Sequence, residues 1–268
     1  MLWDTHMHCR FSGDSEADPE DMITASMNAG LGGICFTDHL DYDFPSDPPD
    51  LFVLDLDAYD QAIVTLSEKY ENVFPVRHGI ELGVQPHLHE RLREVARSHD
   101  YDQVICSSHA IDGLDPYYKT FFIGREERDA YRRYFESILE NLNGFSDFDV
   151  YGHIDYVVRY GPNTNKFYSY AAYADILDAI LEKLIDMGKG IEINTGGFKY
   201  GLGHPNPCEE ILTRYHALGG EIITIGSDAH EPAHVAYDFA KVPDILRSAG
   251  FTHYTVFEKR QPVFLPLP

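Results

Sequence analysis

The chain has 268 residues, of which 44% are hydrophobic, and its 21 Lys and Arg against 44 Asp and Glu leave a formal net charge of −23. That length suits a single α/β barrel domain spanning 1–268. The acidity excludes a basic surface for long nucleic acid. No run approaches the roughly 18 apolar residues of a membrane span.

Short runs rich in Ile, Val and Phe alternate with longer segments of helical spacing. Candidate strands lie at 2–7, 33–37, 74–81, 103–108, 149–153, 190–194 and 221–227, and candidate helices at 19–29, 57–70, 86–98, 126–142, 170–188, 207–218 and 232–249. Asp18-Pro19 and Asn206-Pro207 each read as an N-cap followed by proline in the first helical turn. Gly30, Gly188 and Gly219 read as helix ends. Strand and helix alternating about seven times predicts a parallel sheet with crossover helices, closed or nearly closed into a distorted (β/α)7 TIM-like barrel. Loops 40–50 and 111–120 follow candidate strands, where a barrel carries its chemistry. The four cysteines are scattered, without a C-x-x-C pair. A cytoplasmic protein with reduced thiols is expected, and no secretory leader pattern opens the chain.

The residues at the strand ends are unusual. In order they are His6-Met7-His8, Thr37-Asp38-His39, Gly79-Ile80-Glu81, Ser107-Ser108-His109, Tyr151-Gly152-His153, Glu192-Ile193-Asn194 and Ser227-Asp228-Ala229-His230. One such histidine is ordinarily a surface or core residue; the same pattern at six strand ends predicts a metal centre. Alternate residues of a strand share a face, so His6 and His8 can meet one ion, as can Asp228 and His230. Six histidines with Glu81 and Asp228 exceed what one tetrahedral ion takes, so two or three divalent ions are implied. Imidazole with carboxylate favours Zn, Mn or Fe. Clustered ions of this kind suit phosphoester hydrolysis.

The order H-x-H, T-D-H, G-x-E, two isolated histidines and a late D-x-H, running from His6 to His230, resembles the polymerase and histidinol phosphatase (PHP) family. The resemblance implies a trinuclear centre. His6, His8, Glu81 and Asp228 would hold one ion, and Glu81, His109 and His153 a second. His39, His230 and the residue six after His8 would hold the third. Many members carry histidine at that last position; here it is Asp14. The resemblance is strongest to the histidinol-phosphate phosphatases, which implies hydrolysis of L-histidinol phosphate by a hydroxide held between ions. Another small phosphomonoester, a nucleotide or sugar phosphate, is the alternative substrate.

A phosphate monoester calls for a bidentate cation. Arg159, six residues after His153, is the first candidate and Lys199 the second. Asp41, Asp43 and Tyr117, in loops after the metal-bearing strands, are candidates for the cationic end of the substrate. Asp228, His230 and Asp38 are candidates to carry the leaving-group proton. Two other phosphatase signatures are rejected. Asp55-Leu56-Asp57 lacks the downstream partners of an aspartyl nucleophile, and Cys208 to Arg214 encloses Glu209 and Glu210, which would repel phosphate. An amidohydrolase would place a carboxylated lysine where Glu81 and His109 stand, and a barrel that had lost turnover would not need a full ligand set. No oligomeric state is implied.

Overall fold

The computed structural model describes residues 1–268. In chain order the regular elements are β1 (Trp3–Met7), α1 (Pro19–Asn28), β2 (Gly33–Phe36), β3 (His39–Leu40), α2 (Leu56–Tyr70), β4 (Val76–Gly83), α3 (His89–Ala96), β5 (Gln103–Ser107), α4 (Glu127–Gly144), β6 (Val150–Tyr151), α5 (Ala174–Asp186), β7 (Gly190–Asn194), α6 (Gly196–Lys199), α7 (Glu209–Ala217), β8 (Ile223–Gly226), α8 (Val242–Ala249), β9 (His253–Glu258) and β10 (Gln261–Pro266). Short 3₁₀ turns join several of them. No helix is long and apolar enough to cross a membrane.

Seven strands form one parallel sheet in the order β1-β2-β4-β5-β6-β7-β8, with the short β3 paired to the outer part of β4. The sheet nearly closes on itself. His8 N donates to Ala229 O and Asp228 N to His6 O, which ties the end of β1 to the turn after β8. Thr5 Oγ1 adds a bond to Ile225 O at 3.2 Å. The architecture is the distorted TIM-like barrel that the alternation predicts. Its strands are buried almost throughout, as parallel strands between a packed interior and a layer of helices must be.

The first helix begins as expected: the Asp18 carboxylate accepts from Glu20 N, with Pro19 in the first turn. The ends of α1, α5 and α7 lead into Gly30, Gly188 and Gly219, all at positive φ. Three of the expected helices differ. The segment 170–188 begins as α5 only at Ala174, after a 3₁₀ turn at Tyr170–Ala172. The segment 207–218 starts only at Glu209, because Asn206 exchanges two 2.8 Å backbone bonds with Asn194 and is held extended against β7. The segment 232–249 is not continuous. Pro243 is compatible only with the first turn of a helix, so α8 starts at Val242, and Ala236 and Asp238 upstream adopt positive φ.

The sequence patterning does not anticipate β9 and β10. They form an antiparallel hairpin whose turn residues, Lys259 and Arg260, both have positive φ. Asp102 receives Lys259 N, and Arg260 reaches Asp149 and Ala96 O, so the turn docks at the N-terminal ends of β5 and β6. Phe257 packs on Ile105 and Val150 and fills the barrel at the end opposite the histidines.

Between β4 and α2, His78 is buried between the rings of Tyr59 and Tyr101, with neither ring nitrogen hydrogen-bonded. Asp60, Asp102 and His99 are the titratable groups that face it, and burial pushes its pKa down to about 4. The folded state therefore keeps His78 neutral while the unfolded chain takes up a proton below about pH 6.5. Stability is retained above that pH and lost as the pH falls toward 4, by roughly 3 kcal/mol in full. His78→Leu is expected to flatten that part of the acid limb of a chemical-denaturation profile; an unchanged limb would place the acid sensitivity elsewhere.

Candidate metal centre

β1 carries a register shift between Asp4 and Met7, an irregularity of the kind that re-aims side chains next to active sites. His6 within it and His8 just past it turn their Nε2 atoms to within 3.1 Å of each other. Glu81, near the C-terminal end of β4, places Oε2 3.2 Å from His6 Nε2 and 3.5 Å from His8 Nε2. Asp228 Oδ1 stands 3.5 Å from His8 Nε2 and 3.8 Å from His6 Nε2. Four donors at about 2.0–2.1 Å from a tetrahedral ion lie roughly 3.4 Å apart, so this group is spaced like the corners of a coordination shell.

The other Glu81 oxygen, Oε1, faces the opposite way, 2.9 Å from His153 Nε2 and 3.3 Å from His109 Nε2. Glu81 thus spans two donor groups with its two oxygens. A third group lies outward: Asp14 Oδ2 is 3.1 Å from His230 Nε2 and 3.8 Å from His39 Nε2. The His8 ring stacks between His39 and His230, at 4.3 and 4.1 Å.

The donor set fits cations better than protons. His230 Nε2 is buried beside Asp14 yet makes no hydrogen bond, and His39 Nδ1 and Asp41 Oδ2 are likewise unpartnered. Burial pushes the Glu81 carboxyl up, but His6, His39 and His109 outweigh it and hold the pKa well below the usual range. Burial pushes Asp228 up as well, and His8, His6 and Arg159 hold it down. In the other direction, burial disfavours a charged His109, yet Asp41 and Glu81 raise its pKa to about 10. Burial, with His230 and His39 beside it, instead holds His8 well below its usual pKa, and burial lowers His153, which keeps both rings free to ligate; buried carboxylates that converge on neutral imidazoles ligate divalent ions.

A second layer fixes the ligands. His6 Nδ1 bonds Glu192 Oε2 at 2.9 Å, and the other Glu192 oxygen receives His153 N and Asn194 Nδ2. His8 Nδ1 bonds Ser12 Oγ, which in turn donates to Asp38 Oδ1. His109 Nδ1 meets Asp41 Oδ1 at 2.7 Å. Glycines make room for this layer: a Cβ at Gly83 would fall 1.7 Å from Asp41 Oδ1, and one at Gly226 would fall 2.5 Å from His6 Cβ. Removing such an outer carboxylate costs roughly 10- to 100-fold in metal affinity. Asp41→Asn and Glu192→Gln are each expected to show that loss in a metal-competition titration, and an unchanged affinity would deny them an orienting role.

The structure separates the remaining candidates. Arg159 is buried and anchored by three protein bonds. Its Nε donates to Asn206 Oδ1 at 2.7 Å, Nη1 to Asp228 Oδ2 at 3.0 Å and Nη2 to Asn194 Oδ1 at 3.0 Å. The rings of Tyr156 and Tyr200 flank it at 5.3 and 4.9 Å. Its five N–H groups leave one on each terminal nitrogen, and the residue lines a cavity of about 310 Å³ together with Asp14, His39, His109, His153, Asp228 and His230. Asp41 and Tyr117 line the same cavity. Lys199 and Asp43 do not: Lys199 lies beyond Tyr200, and Asp43 pairs with His87 at the surface. Asp38 sits behind the site and uses both oxygens to hold the turn 9–12.

Asp228 and His230 do not face one ion together. Asp228 follows β8 with φ 56, outside extended geometry, so the two side chains turn to neighbouring donor groups. The rejected signatures are structural: Asp55 caps α2, accepting from Ala58 N, and Arg214 pairs with Asp178. Residue patterning misses Asp115, Asp47, Tyr156, Tyr160 and Tyr200, which complete the cavity wall. They sit in loops without periodicity, and no spacing rule marks them.

Sequence comparison agrees with this geometry. The family model described as "PHP domain" matches residues 4–196, and the chain belongs to that family. It is 32% identical to the histidinol-phosphatase of Lactococcus lactis, over 95% of this chain and 93% of that one. It is 31% identical to a probable histidinol-phosphatase of Clostridium acetobutylicum, over 97% and 98%. Among solved structures it resembles the Lactococcus lactis histidinol phosphate phosphatase crystallised with zinc, L-histidinol and phosphate, with a TM-score of 0.91 and 31% identity over 98% of both chains.

Proposed function

We propose that this chain is a metal-dependent phosphomonoesterase that hydrolyses L-histidinol phosphate to L-histidinol and phosphate, a step of histidine biosynthesis, and that it acts in the cytoplasm as one catalytic domain over 1–268. The observation that carries the reading is Glu81, buried behind a cavity lined by His109, His153, Arg159 and Asp228, whose two oxygens join two imidazole-rich donor groups. The reading is supported by the likeness to the zinc- and histidinol-bound relative.

His6, His8, Glu81 and Asp228 would hold one ion, Glu81, His109 and His153 a second, and Asp14, His39 and His230 a third. Bound there, divalent ions supply Lewis-acid polarisation of the phosphoryl group and acidify water. Arg159 keeps two N–H groups for equatorial phosphoryl oxygens, and its three protein bonds fix them in place before substrate arrives. Asp228 stays ionised under the pull of His8, His6 and Arg159, which suits a ligand and not a proton donor. His230 holds its Nδ1 on the Asp228 backbone oxygen and turns Nε2 toward Asp14, an arrangement that suits a ligand.

The cavity offers Asp115 instead. Burial pushes its pKa up to about 6, so it holds a proton for part of the time near neutrality. We assign it the leaving oxygen's proton. Asp115→Asn is expected to lower kcat while leaving metal content unchanged; unaltered kcat would remove it from the reaction. Asp47, Tyr117, Tyr118 and Tyr160 form an acidic, aromatic rim suited to a cationic amine and an imidazole ring.

Phosphate release from histidinol phosphate, nucleotides and sugar phosphates, measured after chelation and metal add-back, tests the reading. Histidinol phosphate is expected to lead by orders of magnitude in kcat/KM. Equal turnover of generic monoesters would refute the substrate and leave the metal centre standing.

A further inference from the structure

The donors of the proposed centre differ sharply in exposure. The side chains of His6, His8 and Glu81 are fully buried, whereas Asp14 is 41% and His230 22% exposed. Asp14 and His230 line the substrate cavity and also a second cavity, of about 590 Å³, which His39 does not line. Tyr200 stands between the two cavities and contributes to both walls. Two members of the third donor group, Asp14 and His230, are therefore reached from two openings, the substrate cavity and this second one.

Charge decides what that opening admits. Its wall carries the carboxylates of Asp14, Glu16 and Glu231 against one lysine, Lys199, which makes no ion pair and lies 5.4 Å above the Tyr200 ring. Burial and Lys199 both lower the pKa of His234, which keeps that ring neutral near pH 7, and it sits 3.0 Å from Glu231. The balance repels phosphate and attracts small cations. Asp14 also supplies the third group with an oxygen where a third imidazole would bind a late first-row ion more tightly.

We propose that the third ion, held by Asp14, His39 and His230, is the exchangeable one, and that divalent cations reach it through this second cavity and not past the substrate. The proposal rests on the trinuclear reading above. It makes the full centre responsive to the supply of free metal, with two ions retained and one exchanging.

Metal content after dialysis against a moderate chelator tests the first part. Two ions per chain are expected to remain and one to leave, and Asp14→His is expected to retain all three. Loss of all ions together, or no difference for Asp14→His, would overturn the proposal, while a wild-type chain that binds no metal from the start would overturn the centre itself. Uptake of Co²⁺ by the depleted protein, followed by visible absorption, tests the route. Glu16→Lys combined with Glu231→Lys is expected to slow uptake on the order of tenfold at low ionic strength with the final stoichiometry unchanged. An unchanged uptake rate in that variant would overturn the route.

Discussion

Glu81→Gln is expected to abolish turnover, with kcat reduced by at least about three orders of magnitude. It is also expected to lower bound metal in elemental analysis of the purified protein. The amide keeps the shape of the side chain but removes the charge that His6, His8, His39, His109 and His153 surround. Only one of its two head atoms remains an oxygen, so it cannot serve both donor groups as an acceptor. A Glu81→Gln protein that retained full metal and activity would show that the carboxylate bridge is not what organises the centre. His8→Ala gives an independent check, because His8 contacts the first group directly and stacks on the histidines of the third.

Arg159→Ala is expected to lower kcat/KM by roughly 10²- to 10⁴-fold, since two charge-assisted bonds to phosphate are each worth about 1.5–3 kcal/mol. Stability should fall as well, by about 3–5 kcal/mol, because the partner Asp228 is left buried without its cation. Arg159→Lys is expected to restore little. A point charge cannot reach Asn206, Asn194 and Asp228 at once while still facing the cavity. Steady-state kinetics with histidinol phosphate, paired with thermal melts of the metal-stripped protein, separates the two effects. Full activity in the lysine protein would mean that Arg159 serves the fold and not the phosphate.

What can be read in advance follows from what each residue depends on. The ligands His6, His8, His39, Glu81, His109, His153, Asp228 and His230 stand at or near strand ends, and strand ends are marked by the alternation of apolar runs and helical segments. Strand order in a parallel barrel follows chain order, so residues far apart in number converge. Arg159 is visible as a cation just past a ligand in an acidic chain, but its partner Asn206 has the look of a helix cap. Nothing local tells an asparagine that caps a helix from one that bridges to Asn194. The wall of the substrate cavity is less legible, because loops 40–50 and 111–120 take their shape from tertiary contacts. Asp115 owes its raised pKa to burial, which no neighbouring residue in the chain reports. Lys199 illustrates the opposite error: its position past a strand suggests a phosphate contact, while α6 carries it round to the other side of Tyr200. The hairpin β9–β10 has no turn signal, since Lys259 and Arg260 take a conformation that usually selects Asn or Gly.

That hairpin sets an order of events during synthesis. Tyr254 bonds Met1 O, Thr5 bonds Ile225 O, and His6 and His8 wait for Asp228 more than 200 residues downstream. The first strand to leave the ribosome has no partner on one edge until β8 emerges, and Phe257 fills the far end of the barrel only later still. Closure at such sequence separation is slow relative to helix formation. The two halves of the first ligand set are thus kept apart until most of the chain exists, so a nascent chain cannot assemble the bridged site before its barrel is nearly complete. The first ligand set is therefore completed only when the barrel closes, whereas Glu81, His109 and His153 are all present once β6 has emerged.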